Sequence, residues 1–338
     1  MLEISFFDLK EKPYTDLNFS VTEVLKDYEI FALNLEGPIC RCKDSIPQEK
    51  FSTLRMEPDV IKILKKLGVN IVFLANNHTA DYGERGILET IEILRNNDIK
   101  FVGAGTNLAE AFSPLILELN HVKIGLVNFT TVFTPQSRAT AEKVGIAGVR
   151  MKTRIIITPY DLIEEPGAPY IVDAEPIQED LDYVIKIIKT LRNNVDLLLV
   201  YVHWGIGALP FSSIVLEYQK KLGRTLIDAG ATLVIGSHPH ILLPVEKYRD
   251  RLIFYSLGNF VFSYQDPRLS FSNVGGILRL DLESMSVRVM PICLNSNGLP
   301  EFCKRPYEKI YELFSFITKS EELGVKIKES EKGWLEIV

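Results

Sequence analysis

Short apolar runs alternate with amphipathic segments along most of the 338-residue chain. Apolar runs of strand length occur at Glu3–Phe7, Glu29–Leu33, Asn70–Leu74, Lys123–Asn128, Asp196–Val202, Thr232–Ile235 and Leu252–Tyr255. Apolar residues recur at helical spacing in Glu57–Leu67, Gly83–Asn97, Ile177–Leu191 and Val215–Ala229. Strands that alternate with helices in this way predict an α/β fold with helices on the outer faces of the sheets.

Two parts of the chain depart from this rhythm. The stretch 131–176 is rich in proline, glycine and charge, and we interpret it as an insertion across one end of the sheet. Further on, the pattern predicts antiparallel strands at Gly276–Leu282 and Ser286–Ile292 and a helix at Tyr307–Thr318. We therefore expect one domain over residues 1–300, which contains the insertion, and a helical extension, residues 301–338, packed on the same domain.

Composition and charge narrow the classes of partner. The chain is 46% hydrophobic, and its net charge is −6 with no run of Lys and Arg. Nucleic acid is not an expected partner, because binding it requires clustered cations. No apolar run approaches the ~20 residues that span a bilayer, and the N-terminus lacks the pattern of a secretory signal. We expect a soluble, cytoplasmic protein with no membrane segment, and the sequence predicts no oligomeric state.

The four cysteines, Cys40, Cys42, Cys293 and Cys303, do not suggest a disulfide framework in a chain of this length. Cys40 and Cys42 are one residue apart, which is not the usual C-x₂-C spacing of a zinc site. We expect ordinary reduced thiols, with metal binding by this pair as the less favoured alternative.

The histidines mark the candidate site. Four of the five follow predicted strands: His78, His203, His238 and His240. The fifth, His121, lies in a polar turn and is expected to be solvated. Ligands of α/β sheets bind at the carboxyl ends of the strands. An extended His-Pro-His segment would point both rings to one side, which favours metal binding over two histidines packed there by chance.

Two earlier strand ends add amide and carboxylate groups. Glu36 precedes Gly37, and Asn77 precedes His78 in an Asn-Asn-His run. Taken singly, such a Glu is typical of a solvated turn and an Asn-Asn pair is typical of a helix cap. Four strand ends that present carboxylate, amide and imidazole groups together suit a divalent metal.

At this point the sequence resembles a known family. NLEGPI, LANNHTADYGERGILET, GAGTNLAEA, HWG, DAGATLVIGSHPH and YSLGNFVF, in this order over roughly residues 1 to 265, are similar to the motifs of the poly-gamma-glutamate capsule-synthesis (CapA) family. That family belongs to the calcineurin-like metallophosphoesterase superfamily. The resemblance implies a sandwich of two β-sheets flanked by helices (α/β/β/α) and a site for two divalent metal ions, with Mn, Fe or Zn favoured.

The resemblance also implies a role for individual residues. It gives six metal ligands: Asp8, Glu36, Asn77, His203, His238 and His240. Glu36 would bridge both ions, with Asp8 and His240 on the first ion and the other three on the second. His78 would lie beside the substrate as a general acid. Asp81 would orient its ring, or would instead cap the following helix.

Three positions depart from the family pattern. Phe7 stands where a glycine usually precedes the first aspartate, and Lys10 stands where the wider superfamily has a histidine ligand. Family members often carry an acidic residue shortly after HWG, whereas this chain has Ile206-Gly207-Ala208. We expect Lys10 either to weaken the first metal site by its charge or, if the chain turns after Asp8, to face water.

Three functions remain open. The leading one is a metal-dependent phosphomonoesterase or phosphodiesterase that uses water activated by two metal ions. The others are a hydrolase of gamma-glutamyl polymer and a non-catalytic accessory protein with the same metal site. Each would bind an anionic small molecule or polymer. Four basic residues of the insertion could clamp such an anion or, more simply, be solvated loop charges: Arg138, Arg150, Lys152 and Arg154.

Overall fold

The computed structural model describes residues 2–8, 21, 25, 28–42, 46–157, 163–164, 171–207, 213–262 and 272–338, with residues 2–8 described by their backbone. Its helices are α1 (Val60–Lys66), α2 (Gly83–Arg95), α3 (Leu108–Ala111), α4 (Gln178–Arg192), α5 (Glu217–Ala229) and α6 (Tyr311–Glu322). Short 3₁₀ helices cover Pro135–Ser137 and Tyr307–Lys309. Among the described residues, no helix is long and apolar enough to cross a membrane.

One sheet is built from both ends of the chain. Its strands are β1 (Leu2–Asp8), β2 (Ile30–Leu35), β3 (Ile71–Phe73), β4 (Lys100–Val102), β15 (Val261–Phe262), β16 (Val274–Leu280), β17 (Val287–Leu294), β18 (Pro300–Phe302), β19 (Ile327–Glu329) and β20 (Leu335–Ile337). The spatial order is β19-β20-β17-β16-β1-β2-β3-β4, with β15 beside β1 and β18 beside β17. Strands β1 to β4 run parallel, so their carboxyl ends lie at one edge.

The second sheet comes from the middle of the chain. Its strands are β6 (Leu115–Leu119), β7 (Val122–Thr130), β11 (Leu197–His203), β12 (Leu233–Ser237), β13 (Leu242–Tyr248) and β14 (Arg251–Leu257). The order is β13-β14-β12-β11-β7-β6, and only the two edge strands are antiparallel to their neighbours. Two smaller ladders join β5 (Ala104–Gly105) to β8 (Gly145–Ile146) and β9 (Met151–Ile156) to β10 (Ile171–Pro176).

The period-two alternation of buried side chains produces four layers. In β2, Phe31, Leu33 and Leu35 pack with α1 and α2, whereas Ile30 and Ala32 face the other sheet. In β11, Leu197, Leu199 and Tyr201 face the first sheet, whereas Leu198, Val200 and Val202 pack with α4 and α5. Phe73 and Tyr201 stack between the sheets, with ring centroids 4.2 Å apart. The predicted α/β/β/α class is confirmed, because both central strands are buried on both faces.

The C-terminal residues contribute strands as well as a helix. Strand β20 pairs with β17, and β19 pairs with β20, so this segment extends the first sheet. The Ser320 hydroxyl of α6 accepts a hydrogen bond from the Val245 amide of β13. The helix begins at Tyr311, after the 3₁₀ turn, and not at Tyr307 as predicted. The division into residues 1–300 and 301–338 stays a prediction.

The expectation of four reduced thiols is wrong in this structure. Cys293 and Cys303 form a disulfide, because the antiparallel pairing of β17 with β18 brings their Cα atoms to 5.0 Å. Cys40 and Cys42 form the other disulfide. The spacing of Cys293 and Cys303 in the sequence could not predict their disulfide, since it is the β17–β18 hairpin that makes the two residues neighbours.

Ion pairs hold the insertion to helix α4. Arg138 and Arg150 both donate to the carboxylate of Asp180, at 2.9 and 2.8 Å, and only 3% of the Asp180 side chain is exposed. On the β9–β10 ladder, Arg154 pairs with Glu175 at 2.6 Å. Acidic residues of the same chain therefore pair with these basic residues, and the side chains of Arg150, Lys152 and Arg154 are about half exposed, as predicted for solvated charges. Lys152 is the loosest of them, at 3.9 Å from Glu175.

We predict that Asp180→Asn lowers the free energy of unfolding by about 2–4 kcal/mol, because it leaves two guanidinium groups without their carboxylate. Burial raises the pKa of Asp180, but the hydrogen bonds and charges of Arg150 and Arg138 outweigh it and lower that pKa below the ordinary 3.8. The difference between wild type and variant in urea unfolding should therefore be full above about pH 4 and shrink as the pH falls through the lowered pKa.

Glu179→Gln is the matched control for this measurement. Glu179 also approaches Arg150, at 3.3 Å, but its side chain is 86% exposed, so its loss should cost less than about 0.5 kcal/mol. Equal effects of the two substitutions would contradict the assignment of Asp180 as the anchor of the insertion.

Candidate metal centre

The turn after β2 places Glu36 in the interior. Gly37 adopts φ +142°, a conformation that favours glycine, and this allows the chain to turn directly after Glu36. The Glu36 side chain is fully buried, and its Oε2 accepts a hydrogen bond from Asn34 Nδ2 at 3.0 Å. The predicted solvated position for an isolated Glu before Gly-Pro does not apply here, because the neighbouring strands cover the turn.

The two asparagines of the turn after β3, Asn76 and Asn77, have different roles. The Asn76 side-chain oxygen accepts from the amides of His78 and Thr79, at 3.0 and 2.9 Å, and so caps the turn. Asn76 Nδ2 donates to Asn34 Oδ1 at 3.1 Å, which ties this turn to the one that carries Glu36. Asn77 is thereby left to point its side chain across to the second sheet.

His203, the last residue of β11, meets both turns. Its Nε2 lies 2.7 Å from Asn77 Oδ1 and 3.6 Å from Glu36 Oε1. Its Nδ1 is hydrogen-bonded to the Ser237 hydroxyl at 3.0 Å, and the ring is completely buried. The carboxyl ends of strands from the two sheets therefore converge, as the sequence predicted for Glu36, Asn77 and His203.

His238 and His240 lie in the same cluster, but the extended backbone predicted for them is wrong. Both follow β12 with positive φ angles, +96° and +56°, so the segment is a turn and not an extended strand. Such backbone conformations are costly for residues other than glycine, and they cluster at functional sites. The His203 and His238 ring centroids are 4.7 Å apart, and His240 Nε2 lies 3.7 Å from Glu36 Oε1.

Asn259, which the sequence analysis did not single out, fixes the ring of His240. Asn259 Oδ1 lies 2.9 Å from His240 Nδ1, and Asn259 Nδ2 donates to the carbonyls of His240 and Ser272. Because the amide oxygen can only accept, His240 Nδ1 carries the proton, and the Nε2 lone pair faces Glu36. The YSLGNFVF motif contains this asparagine, and it is the only polar residue of the motif after the Tyr and Ser. This isolated polar side chain could have indicated a role for Asn259.

All three imidazoles are held in the neutral form that binds metals. Burial lowers the pKa of His203 and His238 well below the usual 6.5, and repulsion from the neighbouring histidines and Lys50 lowers both pKa values further. Burial likewise lowers the pKa of His240 to about 4, although its bond to Asn259 acts in the opposite direction. Neutral imidazole nitrogens beside a buried carboxylate form a donor set typical of Zn²⁺, Mn²⁺ or Fe²⁺.

The geometry of the donor atoms also fits a metal. Atoms bound to one ion at about 2.1 Å lie roughly 3.0–3.4 Å apart. The His203–Asn77 and His203–Glu36 distances, 2.7 and 3.6 Å, are close to that separation. Glu36, His238 and His240 each offer an atom within 4.8 Å of the others. His238 Nδ1 is buried and has no hydrogen-bond partner among the described residues, as expected for a nitrogen that awaits a cation.

His78 and Asp81 form a pair beside this cluster. His78 Nδ1 lies 2.7 Å from Asp81 Oδ2, and the Asp81 carboxylate is almost fully buried. Helix α2 has Tyr82 at its N-cap position, so Asp81 contacts His78 and does not cap the helix. Lys50, also missed by the sequence analysis, donates to Asp81 Oδ1 at 2.6 Å. No spacing motif linked Lys50 to a pair 28 and 31 residues away.

The remaining predicted positions are only partly described. Asp8 ends β1, and the parallel register that pairs Phe7 with Leu35 places its backbone next to Glu36. The Asp8 side chain and all of Lys10 lie outside the described residues. His121 is exposed, as predicted. Gly207 lies two residues after HWG, and a Cβ atom there would come within 2.9 Å of the His238 ring.

The chain matches a known protein family over most of its length. Residues 7–264 match the model of the bacterial capsule synthesis protein family PGA_cap. The chain belongs to this family. The match contains every residue that the preceding paragraphs place in the cluster, from Glu36 to Asn259, and it ends before the C-terminal strands of the first sheet.

Two curated relatives carry related names. The chain is 28% identical over 244 residues to the capsule biosynthesis protein CapA of Bacillus anthracis, covering 72% of this chain and 52% of that protein. It is 28% identical over 243 residues to the PGA biosynthesis protein CapA of Bacillus subtilis (strain 168), covering 72% and 55%. The chain thus spans about half the length of the curated relatives it matches.

The chain is also similar to solved structures. One is a novel phosphatase from Mycoplasma pneumoniae, with 13% identity and a TM-score of 0.40, covering 94% of this chain and 99% of that one. Another is the NAD nucleotidase NadN of Haemophilus influenzae, with 12% identity and a TM-score of 0.41, covering 94% and 62%.

We predict that Asn259→Leu weakens binding of the Mn²⁺ or Zn²⁺ ion that His240 would hold by about 10–100-fold, because the His240 ring loses the acceptor that fixes its tautomer. Competition with a chelator measures the affinity, and His121→Ala, at an exposed histidine, serves as the control. An unchanged affinity in a folded Asn259→Leu protein would show that His240 needs no such support.

Proposed function

We propose that this member of the capsule synthesis family is a metal-dependent hydrolase that cleaves phosphate monoesters or diesters. The supporting observation is the position of the Glu36 carboxylate between the Nε2 atoms of His203 and His240, at 3.6 and 3.7 Å, beside the His78–Asp81 pair. A donor cluster with an adjacent proton-transfer pair is an arrangement for hydrolysis, whereas a site for metal storage alone does not require the pair.

Six residues would hold two divalent ions: Asp8, Glu36, Asn77, His203, His238 and His240. Ions bound there would supply an activated water and neutralise charge on the phosphate oxygens. The protein contributes the fixed, buried and neutral imidazoles described above. Ser237 and Asn259 hold the Nδ1 atoms of His203 and His240, so both rings direct Nε2 at Glu36. This orientation costs no rearrangement when ions bind.

His78 would act on the leaving group. The Asp81 carboxylate accepts the Nδ1–H of His78, so Nε2 is the nitrogen that exchanges a proton with the substrate. Donation to the leaving oxygen would complete cleavage of the ester bond, with Asp81 holding the ring in the productive orientation.

Family membership favours a second candidate. Relatives are named for capsule and PGA biosynthesis, and a gamma-glutamyl amide is another bond that an activated water can attack. The same donor cluster and the same His78–Asp81 pair would serve that reaction, since an amide nitrogen also needs a proton as it leaves. Binding of the polymer without turnover is the remaining alternative.

A substrate screen separates these candidates. Metal content of the purified protein is measured first, followed by turnover of phosphate monoesters, phosphate diesters and gamma-glutamyl peptides with added Mn²⁺. We expect phosphate-ester turnover that is lost in His240→Ala. Turnover of gamma-glutamyl peptides alone would establish the second candidate. A protein that binds ions but cleaves neither class would contradict the proposed hydrolase.

We predict that His78→Ala retains its metal content but loses turnover of alkyl phosphates by about 10²–10⁴-fold, because the leaving alkoxide then lacks its proton donor. The loss should be much smaller for nitrophenyl phosphate, whose leaving group needs little protonation. The comparison requires kcat for both substrates and metal analysis of each preparation. Equal losses on the two esters would assign His78 a different role.

A further inference from the structure

Residues 46–54, called here the Lys50 segment, lie directly against the turn that carries the His78–Asp81 pair. The Gln48 amide donates to the Asp81 carbonyl at 2.7 Å, and the Leu54 amide donates to Asp81 Oδ2 at 2.7 Å. Asp81 is therefore held from both ends of the segment. This segment contains no motif and no regular secondary structure, so the sequence alone predicts no role for it.

The Lys50 side chain reaches further into the site than its backbone does. Its Nζ donates to the Asn77 carbonyl at 2.5 Å and to Asp81 Oδ1 at 2.6 Å, and it lies 3.4 Å from His78 Nδ1. Only 12% of the side chain is exposed. One ammonium group thus contacts a proposed metal ligand, the proposed general acid and the carboxylate that orients it.

These contacts distinguish positioning from substrate binding. An ammonium group has three N–H donors, and Lys50 directs two of them at acceptors of its own chain at short distances. A substrate phosphate would have to displace a buried ion pair in order to reach the group. Both oxygens of the Asp81 carboxylate also accept hydrogen bonds from the same chain, because Oδ1 accepts from Lys50 while Oδ2 accepts from His78 and Leu54.

The segment has its own anchor in the insertion. Thr134 Oγ1 donates to Gln48 Oε1 at 2.7 Å, and Gln48 Nε2 donates to Ser137 Oγ at 3.3 Å. Thr134 and Ser137 are themselves hydrogen-bonded at 2.7 Å. These bonds hold the Lys50 segment against two of the first residues of the insertion. This part of the insertion therefore helps to set the position of Lys50.

We propose that Lys50 is a positioning residue: its ammonium group locks the Asp81 carboxylate and the Asn77 carbonyl together, so that the His78 ring and the Asn77 side chain keep a fixed relation to each other. This inference rests on the proposed hydrolase function for its kinetic consequence. Its structural consequence, a single orientation of His78, holds whatever the substrate.

The kinetic test compares Lys50→Met with Lys62→Met. Methionine keeps the length and apolar body of lysine, and Lys62 is a control on α1 with a 76% exposed side chain that pairs with Asp59. Lys50→Met should lower kcat for alkyl phosphates by about 10–100-fold, with KM within about twofold of wild type, because a small misplacement of the acid affects the chemical step. Nitrophenyl phosphate should be affected less.

A double-mutant cycle tests the route of the effect. If Lys50 acts through Asp81, the Lys50→Met and Asp81→Asn double variant should be no slower than Asp81→Asn alone. Full multiplication of the two losses would overturn the proposal, as would a loss in Lys50→Met that is expressed in KM and not in kcat. Urea unfolding of each variant shows whether a lost activity is simply lost folding.

Histidine ring ¹⁵N spectra provide a readout that needs no turnover. In metal-free wild type, His78 should show a proton on Nδ1, and Lys50→Met should redistribute His78 between its two tautomers while His121 stays unchanged. If wild type cleaves no ester but the His78 signal changes in this way, the hydrolase proposal fails and the positioning proposal stands. If the His78 tautomer and kcat are both unaffected, Lys50 has no positioning role.

Discussion

A buried carboxylate surrounded by buried, neutral imidazoles is the constraint on which the rest of the site depends. Glu36, His203 and His240 lie in the interior, where an ionised carboxylate is costly unless cations or donors compensate it. Burial also keeps the imidazoles uncharged, so they compensate the carboxylate less than solvated histidines would. Divalent cations satisfy both kinds of group at once. The carboxyl ends of strands from the two sheets bring these groups together.

The surrounding polar groups serve this centre by fixing orientation. Ser237 and Asn259 hold ring nitrogens, Asn34 and Asn76 link the two turns of the first sheet, and Lys50 secures Asp81. Each of these contacts crosses between elements that are distant in sequence. The Arg138–Asp180 pair, which lies outside this cluster, matters for the same reason, because it holds the insertion whose first residues anchor the Lys50 segment.

Sequence periodicity predicted the layers and the strand ends well, since apolar alternation is a local property that the fold preserves. It therefore predicted that Glu36, Asn77 and His203 would meet. The turn geometry of His238 and His240 could not be predicted this way, because positive φ in two histidines opposes their intrinsic preference and is imposed by packing. Asn259, Lys50 and the Cys293–Cys303 pair were missed because their roles arise from contacts between residues distant in sequence. Strands β19 and β20 were missed because a three-residue strand has too few positions to show an alternating pattern.

Anomalous diffraction from crystals soaked in Mn²⁺ would locate ions bound at this cluster. We expect two strong peaks within bonding distance of the donor atoms of Glu36, His203, His238 and His240, with both peaks lost or much weakened in Glu36→Gln. Ordered crystals that show no peak at this cluster, or an ion bound only elsewhere on the protein, would contradict this expectation.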